Sequence, residues 1–193
     1  KRHTKEEGLS NPKLKDSFHY KVTKGKPKPL KLKTIPREDE ILGAVPRDVA
    51  HRDGLLHRAG CVFLVNASGR VCLAKRASSK SLFGGHIDTA CSFHVEDGEA
   101  YDEAARRELF EETKVRAELE RIGVILVDHP LDRMMVALYI AEWSDGVILD
   151  PAEASHPSWH MPKEIEDMLG DGTPVTPWVR EAWPLLRARL QMR

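Results

Sequence analysis

The chain has 193 residues, with 30 Lys+Arg against 30 Asp+Glu and 41% hydrophobic residues. That length suits one domain with a real core plus an arm, and no apolar run reaches the ~20 residues of a membrane-spanning helix. The formal neutrality conceals an asymmetry: residues 1–33 carry 11 Lys/Arg and 3 Asp/Glu, the remainder 19 and 27.

Residues 1–38 are Lys- and Pro-rich, and LKDSFHYKV is their one patterned stretch. Such a composition does not bury enough apolar surface to offset the entropy of ordering. It reads as a solvated arm or a strap across the domain. A sharper reading is an arm that binds nucleic acid or a partner protein, because clustered Lys side chains displace phosphate counterions.

Residues 39–193 form the folded domain, closed by a C-terminal helix. GCVFLVN (60–66), the turn residues Asn66 to Gly69 and the run from Val71 to Ala74 read as a β-hairpin. Residues 78–85 read as a loop, Ile87 to Val95 as one strand, and Asp97-Gly98 as a turn. Ala100 to Thr113 reads as an amphipathic helix with Ala104, Ala105 and Leu109 inward. Ile122–Asp128 and Met134–Trp143 continue as a strand pair. Pro162–Leu169 and Pro177–Leu190 are helices opened by Pro in the first turn. Strands and helices interleave without regular βαβ units, so the class is α/β with a mixed sheet.

The chemistry concentrates in GEAYDEAARRELFEET (98–113). On a helix Glu108, Glu111 and Glu112 emerge from neighbouring parts of one face. They also crowd toward the C-terminal end, where the dipole disfavours anions. A hard cation, Mg²⁺ or Mn²⁺, resolves that repulsion, and Arg107 is placed to brace one carboxylate. The bland alternative is a solvated acidic face.

This stretch resembles the box of the Nudix hydrolase superfamily, Gly-x5-Glu-x7-Arg-Glu-apolar-x-Glu-Glu-x-Gly-apolar. Glu99, Arg107, Glu108, Leu109, Glu111, Glu112 and Val115 fall on its positions. RDVAHRDGLLHR (47–58), Lys75-Arg76 and GHID (85–88) are similar to the branch that contains isopentenyl diphosphate isomerases and related hydrolases. The resemblance implies a Nudix-type α/β/α sandwich with a mixed sheet. It further implies a Mg²⁺- or Mn²⁺-dependent pyrophosphohydrolase acting on a nucleoside-diphosphate derivative or an RNA 5′-end. Glu108, Glu111 and Glu112, with Glu99, would be the metal ligands, and Glu112 and Glu153 the candidate general bases. Arg76 and Lys80 are candidates to meet a substrate phosphate.

Two positions depart from the box. Its first glycine is Phe93, whose ring is expected to narrow the space near metal and phosphates. Its last glycine is Lys114, where a left-handed residue would suit the chain reversal. These changes make a non-catalytic Nudix-fold subunit that binds RNA or protein the alternative reading. An isomerase ranks lower, because that chemistry takes a Cys two positions before the His corresponding to His94, and this chain has Ser92 there. Nor does DRMM (132–135) supply the isomerase pair of glutamates for a His-bound metal, so His51 and His57 read as structural imidazoles. No Gly-x-Ser-x-Gly elbow or Gly-x4-Gly-Lys-Ser/Thr loop is present. Three unevenly spaced cysteines, Cys61, Cys72 and Cys91, point to a reducing interior, cytoplasmic or mitochondrial.

Overall fold

A computed structural model of the chain describes residues 19–23 and 39–192. In chain order the elements are β1 (His19–Thr23), β2 (Ile41–Pro46), α1 (Arg47–Arg52), β3 (Leu56–Val65), β4 (Val71–Arg76), β5 (Ile87–Thr89) and β6 (Cys91–His94). They continue with α2 (Tyr101–Thr113), β7 (Glu120–His129), β8 (Asp132–Glu142), β9 (Ala154–His160), α3 (Pro162–Gly170) and α4 (Pro177–Gln191). The other residues of the basic arm lie outside the described part. β1 runs parallel to β2 and to the first residues of β3.

β3 is the spine. Its near-continuous apolar run is what a strand covered on both faces requires. It pairs in parallel with β8 from His57↔Met134 to Val65↔Glu142, and antiparallel with β6 from Ala59↔His94 to Val62↔Cys91. Alternate side chains divide between two cores. Ala59, Cys61, Phe63 and Val65 join Trp178, Val179, Ala182, Trp183 and Leu186 of α4. Val62 and Leu64 join Ala104, Ala105 and Leu109 of α2. Helices thus cover both faces of a mixed sheet, the sandwich expected.

The β3–β4 turn forms as anticipated: Asn66 Oδ1 accepts from Ser68 N and Arg70 N, and Gly69 takes φ +73°. Yet the two strands pair only at Val65↔Val71. Past that point β4 turns to β5 and β9, and the sheet opens into a cleft. The single strand expected over 87–95 is broken at Ala90 for the same reason. Thr89 Oγ1 donates to Cys91 O (2.6 Å) and accepts from Cys91 N (3.2 Å), spanning the break. β5 follows β4, whereas β6 follows β3.

Asp88 in β5 fastens the cleft from within. It is 2% exposed. It accepts from Trp178 Nε1 (2.6 Å), Thr176 Oγ1 (3.3 Å), Thr89 N (2.7 Å), Ser92 Oγ (3.0 Å) and Arg76 Nη1 (3.3 Å). One carboxylate therefore ties β4, β6 and the start of α4 to β5. Burial raises its pKa, while Arg76 and the hydrogen bonds pull it back down. Asp88→Ala strands Trp178 Nε1 and Thr176 Oγ1 and leaves Arg76 without its carboxylate. Chemical denaturation should record a loss of about 3 kcal/mol or more; a loss below about 1 kcal/mol would show that the hub holds nothing together.

Candidate active site

Helix α2 carries the acidic box. Its start is fixed by Glu103, whose Oε2 accepts from Ala100 N (2.9 Å), and by Asp102 and Glu103 in the first turn, where the dipole favours anions. It ends at Lys114, which takes φ +60° in the left-handed region. A non-glycine residue there costs on the order of 1 kcal/mol. Lys114 Nζ donates to Glu111 O (2.9 Å), so the side chain also satisfies a carbonyl of the last turn.

Ala104, Ala105 and Leu109 anchor α2 to the sheet, and this turns Glu108 and Glu112 toward the cleft. Each is only 9% exposed. They line a cavity of about 160 Å³ together with Glu96 and Glu153. The Asp150 N–H donates to Glu112 O (2.8 Å), which holds the loop bearing Glu153 against the end of the helix. Burial, then the charges of Glu153 and Glu108, push the Glu112 carboxyl up to about 8. Across the same cavity stand Arg47, Arg76 and Lys80. Lys80 pairs with Glu153. Arg76 donates from Nε to Leu82 O (3.0 Å) and lies over the Trp178 ring at 5.3 Å. Ala59, Phe93, Met134 and Val136 complete the wall.

Glu99 and Glu111 stand elsewhere. Arg107 forks onto Glu99 (Nε–Oε1 2.6 Å, Nη2–Oε2 2.7 Å) while its Nη1 reaches Glu108 Oε1 (2.8 Å) and Glu111 Oε2 (3.3 Å). Those hydrogen bonds, with Glu99 first, raise the guanidinium pKa further. Of the residues singled out in the sequence, Glu108, Glu112, Glu153, Arg76 and Lys80 meet in the cavity, and Glu99 and Glu111 connect to it through Arg107. Glu96 and Arg47 are cavity residues that the sequence reading passed over. The box spacing offers no position for Glu96, and Arg47 opens a helix too short to show a period.

A second donor set borders the same cavity. His51 of α1, His57 of β3, His94 of β6 and Asp132 of β8 bring one ligand atom each within 4.8 Å of one another. His57 is fully buried, and its Nδ1 is 2.9 Å from Leu55 O. That bond makes Nδ1 the protonated nitrogen and leaves the Nε2 lone pair facing inward. His57 Nε2 and Asp132 Oδ1 lie 3.4 Å apart, yet neither makes a hydrogen bond. His51 Nε2 is 3.5 Å from Asp132 Oδ1 and 3.4 Å from His94 Nε2.

Desolvation keeps these imidazoles neutral, lowering His51 and His57 to about 4 and His94 well below its ordinary value, and it lifts Asp132 to about 7. Neutral imidazoles around one carboxylate, with two buried polar atoms left without partners, are a donor set that fits a divalent transition metal. The carboxylates of α2 fit a harder ion. His51 and His57, read from sequence as structural imidazoles, therefore converge with His94 and Asp132. His51 and His57 are neighbours in one stretch, but His94 and Asp132 come from β6 and β8, so no local spacing announces the whole group.

On β6 the alternation sends Ser92 and His94 to the cavity. Cys91, 1% exposed, points to the α2 side, where it packs in the apolar layer beneath the helix. Ser92 Oγ is engaged with Asp88.

The NUDIX domain family model matches residues 55–179. The chain belongs to the Nudix family. It stands close to the isopentenyl-diphosphate-isomerase-like branch, as two curated relatives illustrate. An uncharacterized Nudix hydrolase of Pseudomonas aeruginosa is 32% identical over 130 residues, covering 67% of this chain and 77% of the relative. An isopentenyl-diphosphate Delta-isomerase of Nocardia farcinica is 32% identical over 159 residues, covering 76% and 89%. Among solved structures, a Deinococcus radiodurans protein is similar with a TM-score of 0.59 and 26% identity, over 68% of this chain and 81% of the other. The NUDIX domain of Shewanella oneidensis NrtR, solved with ADP ribose, shares the fold at a TM-score of 0.56 and 18% identity, over 70% and 88%.

The environment of Glu112 has a consequence for stability. Its pKa is higher in the folded chain (about 8) than the ordinary 4.5, so the folded state holds the extra proton between those values. The Glu112 contribution is therefore complete below pH 4.5 and drains away as pH rises through 8. Glu112→Gln removes this term. In EDTA the variant should gain Tm relative to wild type as pH is raised from 4.5 to 8; a Tm difference that stays flat across that range would contradict the assignment.

Proposed function

We propose that this protein is a Mg²⁺- or Mn²⁺-dependent hydrolase of a pyrophosphate bond, acting on a nucleoside-diphosphate derivative or an RNA 5′-end. One observation carries the reading: a single cavity sets Glu108 and Glu112 against Arg47, Arg76 and Lys80. Hard-cation ligands and phosphate-binding cations thus face one cleft.

Glu108 and Glu112 would hold the ion, with Glu96 beside them. Bound there, it would neutralise pyrophosphate charge and lower the pKa of a coordinated water. Arg107 orients Glu108, and Glu99 and Glu111 keep Arg107 in place. Through it they serve the site, although the box resemblance would make them ligands. Arg47 and Arg76 orient the diphosphate, and the bonds that Arg76 donates to Leu82 O and to the Asp88 carboxylate stop it from swinging. Glu153, in the same cavity as Glu112, takes a proton from the attacking water. Cleavage of a phosphoanhydride needs no protein nucleophile, so the absence of a cysteine on the cavity face is no obstacle.

The second donor set favours one other reading, isomerisation of a short diphosphate ester, which the isomerase relatives also suggest. The side chain at position 92 weighs against it: Ser92 stands where that chemistry takes a thiol, and Cys91 points to the opposite face. Binding of RNA or protein without turnover would draw on the basic arm, most of which lies outside the described residues.

The test is a panel of ADP-ribose, diadenosine polyphosphates, triphosphorylated RNA and isopentenyl diphosphate, assayed with and without Mg²⁺ or Mn²⁺. We expect metal-dependent release of a phosphorylated product from one member, reduced about 100-fold or more in Glu112→Gln. Turnover that survives EDTA or Glu112→Gln, or double-bond migration in place of hydrolysis, would contradict the proposal.

A further inference from the structure

The box departs from its pattern most sharply at Phe93, and the structure shows what accommodates the ring. Phe93 on β6 lies directly across the ladder from Gly60 on β3. A Cβ placed on Gly60 would meet Phe93 Cζ at 2.4 Å, Cε2 at 2.8 Å and Cε1 at 3.0 Å. The tip of the ring therefore rests on the bare main chain of Gly60, in space that any side chain there would claim. The ring is 5% exposed and belongs to the same apolar layer as Ala104, Ala105 and Leu109 of α2. It is sandwiched between the central strand and the helix that bears Glu108 and Glu112, and one border of it reaches the cavity. The expected narrowing of the cleft is thus limited, because the ring lies on the α2 side of the sheet and not on the side of Ser92 and His94.

A close-packed interior passes a displacement on to its neighbours. Lifting the ring would lift α2 or tilt it, and the two carboxylates would move with it. We propose that Phe93 is a positioning residue: seated on Gly60, it sets the spacing between β3 and α2, and so the separation and aim of Glu108 and Glu112 toward their ion. The small residue that the box places at 93 is, in this chain, supplied by the opposite strand at 60. The inference rests on the metal-dependent hydrolase reading and adds to it the pair of residues that adjusts the metal site.

The geometry defines the test. Gly60→Ala puts a methyl where the ring tip lies, and Phe93→Leu removes the Cε and Cζ atoms that this methyl meets. Four full-length proteins (wild type, the two single variants and the double) are titrated calorimetrically with Mg²⁺ alone, an ion that carboxylates take in preference to imidazoles. Thermal unfolding is measured alongside as a report on packing. Gly60→Ala should raise the Mg²⁺ dissociation constant about 10–100-fold. Adding Phe93→Leu to it should bring the value back to within about three-fold of wild type, the non-additivity expected of residues in contact. Phe93→Leu alone, which shortens the spacer, should weaken binding, and it decides the matter if Gly60→Ala fails to fold. Mg²⁺ binding that is indifferent to the substitutions, or a double variant no better than Gly60→Ala, overturns the inference while leaving the hydrolase reading intact. A wild-type protein that binds no Mg²⁺ overturns both. Coupling seen in Tm but not in Mg²⁺ affinity would make the pair a packing feature only, and overturns the positioning role.

Discussion

Glu108 and Glu112 repel each other one helical turn apart, at the end of α2 where the dipole adds to their cost, and Glu153 approaches from the facing loop. Water does little to screen Glu108 and Glu112, since both are nearly buried, and in such surroundings like charges interact far more strongly than on a surface. The fold does not relieve the crowding. Ala104, Ala105 and Leu109 fasten the opposite face of the helix to the sheet, and the Asp150 N–H holds the loop of Glu153 down onto the Glu112 carbonyl. The countercharge that α2 brings to Glu108 is Arg107, which is itself shared with Glu99 and Glu111. The remaining excess of negative charge is what a divalent ion relieves, and the cations across the cleft face a substrate that would arrive with charge of its own.

The cleft exists because β3 and β4 part company after one pair of residues. β6 stays with β3 and delivers His94 and Ser92, while β5 stays with β4 and delivers Asp88, which in turn steadies Arg76. Two donor sets of different chemistry consequently border one space: carboxylates suited to a hard ion, and imidazoles with Asp132 suited to a borderline one. The proposed choice of hydrolysis over isomerisation rests not on the fold but on side chains at particular positions, above all the hydroxyl of Ser92 at the place where the isomerase resemblance implies a thiol.

Much of this could be read from the chain itself. The Asn66–Gly69 turn, the amphipathic run of α2, the β7–β8 pair and the Pro-opened helices α3 and α4 are all written in local chemistry. So is the left-handed residue after α2, because the box spacing falls on Lys114. Other features depend on partners distant in sequence. The break at Ala90 comes from β5 and β6 following different neighbours, which a continuous apolar run does not reveal. β9 contains Pro157 and polar residues suited to an edge, so it lacks a strand signature. α1 is six residues long and has no room for a period. At the site, spacing along one helix exposed Glu108 and Glu112, but it also grouped Glu111 with them, and only three-dimensional placement separates Glu111 off onto Arg107. Asp132 joins His51, His57 and His94 through four elements, a convergence that no single stretch encodes. Phe93 departs from the box along the sequence, and its counterpart, Gly60, lies on the facing strand.

If the buried acids of α2 hold a divalent ion, anomalous diffraction reads it out most directly, from crystals of the chain equilibrated with Mn²⁺ at millimolar concentration, recorded for wild type and for Glu112→Gln. An anomalous peak coordinated by the Glu108 and Glu112 carboxylates is expected, vanishing in the variant, whatever happens at the imidazoles. Density confined to His51, His57, His94 and Asp132, with no ion at Glu108 and Glu112, would contradict it.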